Sequence, residues 1–121
     1  MKKIISVFMV ALMISTVFCG FALAETPCGT ASAYVSGDDT ITVTTTDKPT
    51  KVKITVSNCS NTYGEIFIQN SNGVDVASSI SIGNSNTTYE RTISFFYRKQ
   101  GTYNIVIDMT GSANFTVTFY K

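Results

Sequence analysis

The sequence predicts an all-β protein, an antiparallel β-sandwich of seven or eight strands with jelly-roll or immunoglobulin-like topology, after a cleaved signal peptide. Three observations carry that expectation. Short runs of alternating apolar and polar residues fill the chain from residue 31 to its end, as half-buried strands require. Clusters of Gly, Asn, Asp and Ser separate these runs at roughly 8 to 12 residue spacing. No helical period occurs after residue 24.

The chain starts with basic Met1-Lys2-Lys3. An almost purely apolar run follows over residues 4–18, then Ala22-Leu23-Ala24 ahead of polar Glu25-Thr26-Pro27. This order predicts a secretory signal peptide, residues 1–24, cut after Ala24, and a secreted, extracellular mature chain. Residues 4–24 are uncharged and long enough to cross a bilayer. A retained anchor normally lacks the small-x-small end, however, and Gly20 and Thr26-Pro27 break helix near it. Lipidation at Cys19 is disfavoured by Phe18, because such sites carry a small residue before the cysteine. Residues 25–121 then make one β-sandwich domain with a single core.

Within that domain, residues 25–30 are a lead-in tied down by Cys28, and residues 31–35 are a first strand ended by Ser36-Gly37-Asp38-Asp39. Residues 40–46 place Ile41, Val43 and Thr45 on one face and threonines on the other, a half-exposed strand suited to a sheet edge. After Asp47-Lys48-Pro49, residues 51–57 turn Val52, Ile54 and Val56 inward. Residues 58–64 are expected to be a polar loop carrying Cys59 and Tyr63. Residues 65–69 follow as a strand with Ile66 and Ile68 inside and Phe67 outside, ended by Asn70-Ser71-Asn72-Gly73. Residues 74–77 begin the return, and residues 78–88 form a surface connection with a weak strand anchored by Ile80 and Ile82. Residues 89–97 alternate again, with Tyr89, Ile93, Phe95 and Tyr97 on one face and Phe96 on the other.

Residues 102–109 and 114–120 complete the chain as two alternating runs around Gly111. If these pair as a hairpin, a two-residue turn would mix core and solvent faces. A three-residue Gly111-Ser112-Ala113 loop sets Ile107 opposite Val117 and Ile105 opposite Phe119. Should the two runs lie in facing sheets, that constraint disappears.

The full chain carries a formal charge of +1, and loss of Lys2 and Lys3 leaves seven basic and eight acidic residues, hence −1. Such a balance gives no basic field for nucleic acid. Once the leader is gone no stable membrane span remains. Cys28 and Cys59 stay in the mature chain and are expected to form a disulfide, provided the compartment oxidises. It would close a loop of about 32 residues and stabilise by roughly 3.7 kcal/mol.

Residues 65–79, Thr92-Ile93-Ser94-Phe95-Phe96, Gly101-Thr102-Tyr103 with the strand after it, and residues 114–119 follow one another in an order that resembles the bacterial pre-peptidase C-terminal domain family. The resemblance spans most of residues 40–120. It implies a jelly-roll-like accessory or binding module with no catalysis of its own. Where many such domains have Asp-x-Asp before the middle strand, this chain has Tyr63-Gly64-Glu65, so calcium ligands do not carry over.

The chain has no histidine, which excludes Ser-His and Cys-His arrangements. Its few acids have no apolar context that would raise a pKa for paired-carboxylate chemistry. The expectation is therefore a non-enzyme, with no cofactor and no metal. Asp38 and Asp39 offer oxygens suited to calcium, but the simpler reading is a solvated turn. Asn58, Asn86 and Asn114 open glycosylation triplets, which chance supplies in a chain rich in Asn, Ser and Thr.

Exposed aromatics are the functional hint: Tyr63, Phe67, Phe96 and Tyr120, with Arg98 beside Phe96, as a ligand-binding set. Packing under a loop is the plain alternative for Phe67 and Phe96. The expected function is a secreted, non-catalytic binding module for an extracellular polymer such as a glycan, cell wall or matrix protein. The alternatives are a small secreted effector (toxin, bacteriocin or inhibitor) and a structural subunit that assembles through sheet edges.

Overall fold

The computed structural model describes residues 25–121, so the expected leader lies outside the described residues. These residues form an all-β structure of six antiparallel strands: β1 (Pro27–Ser36), β2 (Asp39–Thr44), β3 (Lys51–Asn70), β4 (Ile80–Ile82), β5 (Thr87–Thr92) and β6 (Thr102–Tyr120). The two longest, β3 and β6, pair along nearly their whole length, from Lys51 with Tyr120 to Asn70 with Tyr103. They make a long two-stranded ribbon on which every other strand is laid.

The ribbon is bent in its middle. Register slips between Ser57 and Ser60 and again between Ser60 and Tyr63, the signature of bulges that turn a strand. Asn58 and Asn61 take left-handed conformations there, as does Gly111 opposite them, consistent with the tolerance of Asn and Gly for positive φ. A Cβ on Gly111 would overlap the Asn61 carbonyl. Buried Thr62 pins the bend: its hydroxyl donates to the Ser112 carbonyl at 2.6 Å and accepts from the Ser60 N–H at 3.1 Å.

Bending lays the two halves of the ribbon face to face. The Tyr103 ring of one half sits 4.9 Å from the Phe119 ring of the other. β1 and β5 flank the half built from residues 51–57 and 112–120. β2 and β4 flank the half built from residues 63–70 and 102–110. Counted by segment, β3 and β6 contribute two each, and the six strands become the eight-segment antiparallel sandwich that alternation predicts. One core fills it, with Val52, Ile54, Phe115, Val117 and Phe119 on one side and Ile41, Val43, Ile66, Ile68 and Ile105 on the other. Each such side chain contributes roughly 1.5–3 kcal/mol on burial.

Four expectations are corrected. Residues 58–64 are the bulged middle of β3, not a loop. Residues 102–120 are one strand, not a hairpin. Ile107 lies opposite Asp39 and Ile66, and Val117 opposite Ala31 and Ile54. The reason is that Gly111 serves a bulge, and the pairing places a hairpin would use are taken by β1, β2 and β3.

The alternation of residues 89–97 also stops early. β5 ends at Thr92, and Phe95–Tyr97 form a 3-10 turn. Ile93 N–H bonds the Thr50 carbonyl in one half while Ser94 N–H bonds the Val76 carbonyl beside the other, so the chain crosses between halves instead of extending a strand.

Finally, Cys28 and Cys59 are free thiols. Cys28 lies next to the β1 residues paired with Phe119 and Tyr120, whereas Cys59 lies at the bend, between the pairs Ser57 with Asn114 and Ser60 with Ser112. About six residues of strand, roughly 20 Å, separate these levels, and a disulfide needs Cα atoms within about 7 Å.

Candidate functional site

Folding the ribbon gives the sandwich two unlike ends. The bend closes one. At the other, open end the Asn70–Gly73 turn after β3 meets the crossing segment 93–101, and a cleft of about 370 Å³ lies between them. Its walls carry Asn70, Asn72 and Val74 on one side and Phe96, Lys99 and Gln100 on the other, with Tyr103 beneath.

Both walls are held by their own hydrogen bonds. On the first, the Asn70 side-chain oxygen accepts from the Asn72 N–H at 2.9 Å and the Val74 N–H at 3.1 Å, and Gly73 supplies the positive φ of the turn. This is the local turn chemistry that Asn favours. On the second, the buried Tyr103 hydroxyl faces the carbonyls of Tyr97, at 2.9 Å, and Lys99, and accepts from the Lys99 N–H at 3.2 Å. Burial raises the pKa of that hydroxyl, which keeps it a donor. Buried Thr45 clamps the end of the segment, accepting from the Gly101 N–H at 3.0 Å and reaching the Gly101 carbonyl at 3.1 Å. The Arg98 guanidinium donates to the Ile93 carbonyl at 2.9 Å and lies 5.7 Å from the Phe95 ring.

Of the residues expected to bind, Phe96 is 80% exposed and lines this cleft, and Arg98 stands beside it in the same segment. The other three lie elsewhere. Phe67 is half-buried on the outer face of β3, opposite Val106. Tyr120 is half-buried on the other half, with the ammonium groups of Lys51 and Lys53 at 5.8 Å and 5.4 Å from its ring. Lys51 in turn pairs with Glu25 and with Glu90, so this is a structural charge cluster.

Tyr63 is exposed near the bend, on a shallow recess with Asp38, Glu65 and Asp108. There the neighbouring Asp38 raises the Asp108 pKa. Asp38 also accepts from the Met109 N–H of β6 at 3.0 Å, and Asp39 from the Thr40 N–H of β2 at 2.8 Å, so one oxygen of each carboxylate holds strand backbone.

Sequence reasoning missed Phe95, which is 76% exposed rather than inward, along with the cleft amides and exposed Tyr34 on β1. A signal for Phe95 was present: three aromatics in a row, Phe95-Phe96-Tyr97, fit no alternating strand.

No family model and no curated protein matches the chain. Among solved structures it is similar to a glycoside hydrolase family 43 arabinoxylan arabinofuranohydrolase from Bacillus subtilis in complex with cellotetraose, at 16% identity and a TM-score of 0.43. That match covers 84% of this chain and 22% of that one, so the chain spans about a fifth of the hydrolase. It is also similar to the family 11 carbohydrate-binding module of a cellulosomal cellulase of Clostridium thermocellum, at 15% identity and a TM-score of 0.31. Here 85% of this chain and 88% of that one are covered. Among the described residues no helix is long and apolar enough to cross a membrane.

Proposed function

We propose that this chain is a secreted, non-catalytic module that binds an extracellular polymer, with a glycan as the class its chemistry suits best. The observation that carries the reading is the open-end cleft, whose size is within the range of ligand sites. Amides from Asn72 and Gln100 and the hydroxyl of Thr102 suit a partner dense in hydroxyls, while Val74 and Phe96 give the apolar contact that a sugar's C–H face takes. Walls fixed by Asn70, Tyr103 and Thr45 lower the ordering cost of binding. The resemblance to pre-peptidase C-terminal accessory modules and the leader sequence support an exported accessory role.

The test is retention of the protein on insoluble cell wall, on matrix proteins and on a panel of glycans. Retention on at least one polymer, weakened about tenfold or more by Asn72→Ala with Gln100→Ala, is expected. Killing of neighbouring cells or vesicle leakage without polymer retention would support a secreted effector instead. Among the described residues β2 pairs only with β6 and is an edge strand, so concentration-dependent assembly would favour the structural-subunit reading.

A further inference from the structure

The large apolar side chains most exposed to water are distributed unevenly. Among the described residues, Val74, Phe95 and Phe96 all lie at the open end, while the others, Tyr34 and Tyr63, carry a polar tip that tolerates water. Phe95 is not among the cleft residues, so the cleft gives it no role. Its ring and that of Phe96 meet nearly edge-on, with centroids 6.1 Å apart and planes at 76°. Two rings so inclined cannot both lie flat on one ligand face. They form a convex apolar apex on a turn that has no buried residue, and an apex of this kind marks an interaction surface.

Charge is divided along the same axis. Every lysine and arginine after residue 24 falls within residues 48–53, within residues 91–99 or at Lys121, on strand ends and loops at or toward the open end. Four of the eight acids, Asp38, Asp39, Glu65 and Asp108, lie toward the bend with no base among them. The other four acids, Glu25, Asp47, Asp75 and Glu90, lie toward the open end, three of them paired with lysines. With seven bases to four acids that end is net positive and the bend net negative, although the whole domain is near neutral. An anionic surface would attract the open end and repel the bend.

From the apex and the charge division together we infer that the open end seats on an anionic lipid surface, with Phe95 and Phe96 entering the headgroup and acyl boundary. Arg98 and Lys99, which follow the two rings in sequence, meet the anionic headgroups. Apolar burial and attraction to anionic lipid add in such contacts. Phe96 and Lys99 also line the cleft, whereas Phe95 takes no part in it, so Phe95 is the residue that tells the two contacts apart.

The test uses protein produced from the full chain, its N-terminus fixed by mass spectrometry, in sedimentation with vesicles. Vesicles of phosphatidylcholine are compared with vesicles holding about a third phosphatidylglycerol. Binding about tenfold or more tighter to the anionic vesicles, weakened by salt, is expected. Loss of that binding in Phe95→Ser, Phe96→Ser double-variant protein is expected as well. Both rings are exposed, so an unchanged melting temperature should accompany the loss. In F96W the indole emission should shift to the blue on anionic vesicles.

Phe95→Ser alone should weaken vesicle binding and leave polymer retention unchanged, which separates this inference from the cleft reading. No binding to anionic vesicles at low salt overturns it. So does equal binding to both vesicle types, or binding that the double variant keeps. Loss of polymer retention in Phe95→Ser would assign the apex to the polymer instead.

Discussion

At the scale of single residues, Cys28 and Cys59 differ in what they can do. Cys28 is buried, and burial, with Asp47 nearby, pushes its thiol up to about 11. At neutral pH it is therefore protonated and shielded, and only the thiolate reacts. Cys59 is half-buried, with its sulfur 3.5 Å from the Ser85 carbonyl. Of these two, a thiol reagent at pH 8 should modify Cys59 in the folded protein and reach Cys28 only in denaturant. Protection of both thiols in unreduced, unfolded protein would mean a disulfide.

Asp108 supports a second prediction. Asp38 holds the Asp108 carboxyl above the ordinary carboxylate range, so ionisation at this position opposes folding. The penalty is absent below the ordinary Asp value of about 3.9 and complete once pH exceeds the raised one. Asp108→Asn should raise the melting temperature at neutral pH and lose that advantage in acid. Residue identity made Phe96 and Arg98 legible as surface groups, but exposure depends on the path of the backbone. Phe67, outward by alternation, is sheltered on its sheet, and Phe95, inward by alternation, is freed by a 3-10 turn.

At the scale of elements, alternation located nearly every strand, because each has one face in the core: Val52, Ile54, Val56, Ile66, Ile68, Ile105 and Ile107 are all buried. It could not reveal that two pairs of expected strands are continuous. Asn58, Asn61 and Gly111 are residues of turns and of bulges alike, and only long-range pairing decides between them. The bend is accordingly the element most sensitive to substitution. Gly111→Ala would force a side chain into the Asn61 carbonyl at a positive φ, and a loss of at least about 2 kcal/mol is expected in denaturant unfolding. Gly37→Ala, also at positive φ but in open space, should cost only about 1 kcal/mol.

At the scale of the whole molecule, the fold class was readable from pattern, whereas the site was not. The cleft is built from residues 70–74 and 96–103, which meet because the end of β3 pairs with the start of β6, Asn70 with Tyr103. No local signal encodes that meeting, although the turn Asn70-Ser71-Asn72-Gly73 that forms one wall was plain in the sequence. The uneven charge does depend on the bend, which brings the bases of residues 48–53 and 91–99 to one end and leaves Asp38, Asp39, Glu65 and Asp108 at the other.

The central claim is that the open end is a preformed binding cleft. Its most direct test is a retention isotherm on the polymer panel, comparing wild-type protein with Asn72→Ala, Gln100→Ala protein of equal melting temperature. Saturable retention of the wild type on at least one polymer, with affinity reduced about tenfold or more in the double variant, is the predicted result. Retention on none of the polymers, or equal retention of both proteins, would contradict it.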